Sequence, residues 1–183
     1  MSALLAGLAS DHPVPAGGSA SAAVVAIAAA LLEKVAKLSA SSWAGAEGAR
    51  KQAADLRRSA EELVDADAHA YLTFVAAMRS TKGTSDDARE KATGPARAAT
   101  VDVPHAIVRA AAETVELAAD LAVRGNPKLR SDATTAAHLA AAAAHAGAVT
   151  MAANLPPGSN DARLAEAQRL ALGANARVRS LPA

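Results

Sequence analysis

The sequence predicts an all-α fold, an antiparallel bundle of long alanine-rich helices. Alanine, the best helix former, dominates the chain, and hydrophobic residues make up 51% of it. Trp43, Tyr71 and Phe74 are the only aromatic residues, too few for the core of an ordinary β-sandwich. No stretch alternates β-branched residues with period two, whereas apolar residues recur at helical spacing along most of the chain. The 183 residues suit one domain, spanning 1–183, that is long enough to bury a core.

A short helix near Ser2 to Ser10 ends at "DHPVPAGGS", where two prolines and two glycines break the chain. A second helix is expected over about Ser19 to Ser41, with Ala20, Val24, Ile27, Leu31, Val35 and Leu38 at three- and four-residue spacing. Its opposite face is also apolar until Glu33, Lys34 and Lys37. Such a helix must be surrounded by its own bundle or by another subunit. A third helix runs over about Glu47 to Arg79 and ends before the polar loop "STKGTSDD". A shorter segment from Asp86 to about Thr93 meets a break at Gly94-Pro95. Another helix is expected to begin near Val103-Pro104, with the proline in its first turn, and to stop at Gly125. Ser131 and Asp132 are natural N-caps for a helix reaching Leu155, where Asn154 is placed to satisfy the turn at Pro156. Asp161 to about Ser180 forms the last helix.

Charge and composition exclude several classes of function. Nineteen basic residues against eighteen acidic ones leave a formal charge of +1, with no basic run or interleaved aromatics to line a nucleic-acid groove. Cysteine is absent, so there is neither a disulfide framework nor a thiol nucleophile. The longest uninterrupted apolar run, Ala22 to Leu32, has 11 residues, short of the roughly 18 that suggest a membrane span. The N-terminal "MSALLAGLASDHP" has no basic start. A cytoplasmic protein without membrane or nucleic-acid partners is expected.

The stretch "ELVDADAHAYLTFVAAM" places Asp65 and Asp67 inside a helix, where aspartate is a poor former and costly to bury unpaired. Spacing separates them. Leu56, Ala60, Leu63, Asp67, Ala70, Phe74 and Met78 form one stripe, and Asp65 lies roughly 200° from Asp67 at about 100° per residue. Asp67 therefore faces the core or an interface, and Asp65 lies on the other side near Arg58, Glu61 or His69. Two readings of Asp67 stand open. Desolvation would raise its pKa and suit it to general acid or base work, unless a cation or several donors compensate. Equally, it would be a structural carboxylate that pairs with an arginine or caps a neighbouring helix.

"PAGGS", Pro15 to Ser19, leads into a helix start, where free N–H groups and the helix dipole favour anions; a plain turn capped by serine has the same appearance. "GNPKLRSD", Gly125 to Asp132, combines a helix stop, a polar turn and a new helix start. His138 and His145 share a helix face but lack a third ligand at matching spacing, so no metal is expected.

Taken in order, the Gly-Gly-Ser helix start, "LVDADAHAY", "VPHAIVRAAAETVEL" and "GNPKLRSDATTAA" resemble the cyclodeaminase/cyclohydrolase family of folate enzymes. That family includes the cyclodeaminase half of formiminotransferase-cyclodeaminase and stand-alone methenyltetrahydrofolate cyclohydrolases. The likeness covers about Leu4 to Leu155. It implies an all-α homodimer with folate bound where subunits or helices meet, and no cofactor beyond the tetrahydrofolate substrate. Two reactions are implied: closure of 5-formiminotetrahydrofolate to 5,10-methenyltetrahydrofolate with loss of ammonia, or hydrolysis of the methenyl bridge to 10-formyltetrahydrofolate. Asp65 and Asp67 both belong to the implied acidic motif, and periodicity favours Asp67 as the proton carrier. By the same resemblance, Gly17, Gly18 and Ser19 place backbone donors against the ligand. Asn126, Ser131 and Asp132 serve the pterin edge or shape their loop. The chain departs from the family pattern at Ala16, where a third glycine is usual, and at Thr150, where asparagine is common. "SASSWAGAEGARK" replaces a basic stretch. These departures keep a second reading open: a catalytically degenerate helical scaffold, or a relative that binds another small molecule.

Overall fold

In a computed structural model that describes residues 1–182, the chain forms α1 (Ser2–Leu8), α2 (Gly17–Lys37), α3 (Ala46–Ser80), α4 (Asp86–Arg124), α5 (Arg130–Asn154) and α6 (Ala162–Arg179). A single 3₁₀ turn, Pro127–Leu129, precedes α5, and no strand occurs among the described residues. Side-chain pairs give the helix directions. Ser19 and Glu33 of α2 meet Asp67 and Arg57 of α3, so these helices run in opposite senses. Phe74 and Arg97 stack across the α3–α4 turn, Thr100 meets Asn154 between α4 and α5, and Asp102 and Glu116 of α4 meet Arg163 and Arg177 of α6.

The core is aliphatic and small-residued. Val25, Ala29, Leu32 and Val35 of α2 pack with Ile107, Val108, Val115 and Leu121 of α4 and with Ala136, Ala140, Ala144 and Met151 of α5. Short side chains let the helices approach closely. At Gly147, a Cβ would come within 2.8 Å of Val108 Cγ2. Tyr71 is exposed, and Trp43 and Phe74 are only partly buried.

Two expectations about the elements change. The region read as a short helix, a Gly94-Pro95 break and a new start at Pro104 is one continuous helix, α4, of 39 residues. Pro95 and Pro104 each remove one N–H from the helix ladder. Lys91, whose carbonyl loses its partner to Pro95, lies on the exposed face. The carbonyl of Thr100, orphaned by Pro104, receives another donor described below. The second change concerns α2: of the stripe picked out by spacing only Val35 is buried, Ala20, Val24 and Leu31 are half-buried at the edge of the core, and Ile27 and Leu38 are exposed. The core face is centred on Ala22, Val25, Ala29, Leu32 and Ala36, about a third of a turn away, and on a helix apolar nearly all round spacing does not identify it.

Eighteen-residue windows of Gly17–Lys37 and Pro127–Asn154 have mean hydropathies of 1.7 and 1.2, enough by length and composition to cross a membrane. Half of each window is buried inside the bundle.

Candidate active site

The first turn of any α-helix has N–H groups without intrahelical partners. At the start of α2 the N-cap, Ala16, has no side chain to offer them. The acceptor comes from α3 instead. Asp67 Oδ2 accepts from the Ser19 backbone N–H at 2.8 Å. The Ser19 hydroxyl, fully buried, lies 3.0 Å from the same oxygen and 2.9 Å from the Val64 carbonyl, and so divides its one proton between them. Thus the alternative in which Asp67 caps a neighbouring helix is realised, while Ser19 is a donor to the carboxylate and not the N-cap of α2. The positive end of the helix dipole favours the same negative charge.

Only one oxygen of Asp67 is used in this way. Oδ1 accepts no hydrogen bond from the protein, yet it is not sealed from solvent. It lies against Gly18, where a Cβ would stand 2.0 Å from Oδ1 and 2.4 Å from the carboxyl carbon. Glycine is therefore required at position 18 by close approach. Gly17 is less constrained, since its Cβ would meet only Thr150 Oγ1 at an ordinary 3.7 Å. Ala16 has extended backbone, φ −135° and ψ −154°, which any residue adopts, so the missing third glycine leaves this helix start intact.

Asp67 opens on a cavity of roughly 360 Å³ lined by Pro13, Val14, Ala16, Gly17, Gly18, Asp67, Tyr71, Thr100, Val149, Thr150, Ala153 and Asn154. Asp67 is the only charged residue in this lining. A wider groove of about 440 Å³ lies between α3 and α4, but its charged residues, Glu62, Arg109 and Glu113, are exposed. Its opening to solvent on that flank makes it the weaker candidate.

Spacing divides the aspartates as the structure does: Asp67 is partly buried, and Asp65 is exposed on the other flank of α3, beside Ala26, Ile27 and Arg57. Asn126, Ser131 and Asp132 do not join Asp67 within one chain. The Asn126 N–H donates to Ser39 Oγ at 2.8 Å, its side chain donates to the Leu38 carbonyl at 3.2 Å, and Asp132 lies 4.0 Å from Lys34. All three contacts are at the far end of α2, about 30 Å from Gly18 at ~1.5 Å per residue. Ser131 and Asp132 lie within α5 without capping it; Asn126, accepting from the Lys128 N–H at 3.0 Å, organises the 3₁₀ turn that leads in.

Tyr71, Thr100 and Thr150 belong to the cavity although sequence reasoning assigned them no ligand role. Helical spacing carried a usable signal, since Tyr71 is four residues from Asp67 and Thr150 four from Asn154. His138 and His145 are exposed on α5, and no three potential metal ligands cluster among the described residues.

Comparison with known proteins adds to this geometry. A family model described as formiminotransferase-cyclodeaminase matches residues 1–171. A methenyltetrahydrofolate cyclohydrolase of Methylorubrum extorquens is 32% identical over 170 residues, covering 88% of this chain and 81% of that protein. The crystal structure of a formiminotetrahydrofolate cyclodeaminase from Thermotoga maritima superposes with a TM-score of 0.79, covering 94% of this chain and 89% of that one at 24% identity, a likeness of fold.

Proposed function

Because the chain belongs to the formiminotransferase-cyclodeaminase family, we propose that it is a folate enzyme whose Asp67 cavity hydrolyses 5,10-methenyltetrahydrofolate to 10-formyltetrahydrofolate. The observation that carries this reading is the divided carboxylate of a cavity-lining residue, with Oδ2 held by Ser19 and Oδ1 left without a protein partner. A methenyl bridge makes the N5–C–N10 unit cationic, and the sole charge in the cavity lining is a carboxylate. Attraction between them needs no metal. The 32% identical relative, named as a cyclohydrolase, favours hydrolysis over ammonia loss.

In this reading Oδ1 of Asp67 removes a proton from water as the water oxygen bonds to the methenyl carbon. The hydroxyl of the tetrahedral centre then gives up its proton to solvent as the formyl C=O forms and the C–N5 bond breaks, and N5 takes the proton held on Asp67. Water adds across the bridge and one proton is released overall. Asp67 is held in place by Ser19 and by the absence of a side chain at Gly18, so no carboxylate reorganisation is needed at the moment of reaction.

The protein acts as a homodimer in this proposal. On α2, Ile27, 42% exposed, lies near the middle of the helix, and Leu38, 49% exposed, at its end. A two-fold axis crossing α2 near Ile27 sets two copies of the helix antiparallel. The Gly125–Asp132 loop of one copy then stands at the Gly17 end of the other, which would unite the two groups of binding residues that a single chain keeps apart.

Loss of the near-ultraviolet band of methenyltetrahydrofolate on addition of purified protein tests the reaction. Hydrolysis faster than the buffer rate supports the reading. Formation of that band from 5-formiminotetrahydrofolate, with ammonia released and no accelerated hydrolysis, would make the protein a cyclodeaminase instead. Neither reaction and no folate binding leaves the enzyme reading without support.

A further inference from the structure

Pro104 sits in the interior of α4, buried, and has no N–H to give the carbonyl of Thr100 one turn earlier. Asn154 supplies the missing donor: its Nδ2 reaches the Thr100 carbonyl at 2.7 Å, from the last turn of α5. Asn154 therefore does not serve the turn at Pro156, the role its position in the sequence suggested. A carbonyl only accepts, so this contact settles which end of the amide is which. The remaining end, Oδ1, accepts nothing from the protein and is not sealed from solvent, and Asn154 lines the Asp67 cavity.

We propose that Asn154 is a specificity-determining residue whose Oδ1, held as a permanent acceptor by the proline gap in α4, receives a hydrogen bond from an N–H on the pterin ring of the substrate. The inference rests on the reading of the cavity as the folate site. The chemistry of the substrate selects the ring. N5 and N10 of a methenyl-bridged folate carry no hydrogen, so the donors left near the bridge are the ring N–H and amino groups. Asp67 and Asn154 then divide the ligand between them, the carboxylate facing the one-carbon cation and the amide oxygen reading the donor edge. A site built in this way discriminates against analogues that lack the donor, because the fixed acceptor is left unpaired.

The alternative is that Asn154 only repairs the helix, and a proline substitution separates the two roles. Pro104→Ala restores an N–H at position 104 and lets the Thr100 carbonyl close its own helical bond. In that background Asn154→Ala leaves no carbonyl unpaired. Pro104→Ala and the double variant are compared by thermal melting and by steady-state hydrolysis of methenyltetrahydrofolate. The expected result is matched Tm values, with KM about three- to tenfold higher in the double variant, the range for one neutral hydrogen bond, and a smaller change in kcat. Equal KM values would overturn the proposal and leave Asn154 as a helix repair. Asn154→Ala with Pro104 retained should lower Tm in either case, which checks that the backbone bond is real. Wild-type protein that neither binds nor converts the folate removes the underlying reading, and this inference with it, before any variant is compared.

Discussion

At the scale of single residues, the site depends on how closely a carboxylate can approach a helix start. Asp67 reaches the N–H of Ser19 across Gly18 because residue 18 has no Cβ. Gly18→Ala must displace either the carboxylate or the first turn of α2, and overpacking of this kind costs about 1–3 kcal/mol. Thermal melting should show that loss for Gly18→Ala and none for Gly17→Ala, whose Cβ has room. Asp67→Asn keeps an acceptor for Ser19, so its Tm should stay near that of wild type, while kcat for the proposed hydrolysis falls by about 10²–10⁴ as the proton acceptor is lost. Asp65→Asn should reduce kcat less; a larger loss there than at position 67 would reverse the assignment. Spacing alone was enough to read which aspartate turns inward. It could not tell that Asp67 would cap α2, because the capping partner lies 48 residues away in sequence.

At the scale of elements, α4 and α6 show how helices survive where local sequence is unfavourable. Two prolines in α4 signal breaks, yet the helix continues because one orphaned carbonyl lies on an exposed face and the other is met by Asn154. The start of α6 is set by Asp161, which accepts from the Arg163 N–H at 2.8 Å, while Arg163 also pairs with Asp102 of α4. The hydrogen-bonded Arg163 guanidinium holds the Asp161 carboxyl down at about 2, against an ordinary value of 3.8. A carboxyl with a depressed folded pKa stabilises fully above its unfolded value, and that contribution is lost as pH falls through the folded one. The contribution of Asp161 should therefore be whole at neutral pH, begin to fade below pH 3.8 and be gone below about 2. Asp161→Ala should lower Tm at pH 7 by ~2–4 °C, the effect of about 1 kcal/mol for a lost N-cap. The gap from wild type should narrow as the scan is repeated down to pH 2.

At the scale of the whole molecule, α2 keeps an apolar edge in solvent at Ile27 and Leu38. Its second half carries Glu33, Lys34 and Lys37, but around Ile27 the edge is apolar, flanked by the half-buried Val24 and Leu31. Burying such an edge against a second copy is the physical basis of the dimer proposed above. Light scattering at micromolar concentration should give twice the chain mass for wild type, and Ile27→Glu should give the single-chain mass with its fold intact by circular dichroism. If wild type runs as a monomer, or Ile27→Glu stays dimeric, the proposed axis is wrong. Coupled loss of hydrolysis in Ile27→Glu would show that the Gly125–Asp132 loop of the second copy is needed.

Composition and periodicity determined that this chain is helical, where α3 and α6 run to within a residue or two, and that Asp67 turns inward while Asp65 does not. These properties are local: they depend on propensity and on side-chain direction about one helix axis. The tertiary structure alone decided which face of α2 enters the core, since every face of that helix is apolar enough. It also decided that α4 passes through two prolines, that Asn154 serves Thr100 in another helix, and that the Gly125–Asp132 loop stands at the opposite end of α2 from Gly18. Each of those depends on a partner distant in the chain, and the physical reason is the same throughout: an unpaired polar group or an apolar face is satisfied by whatever packing brings near.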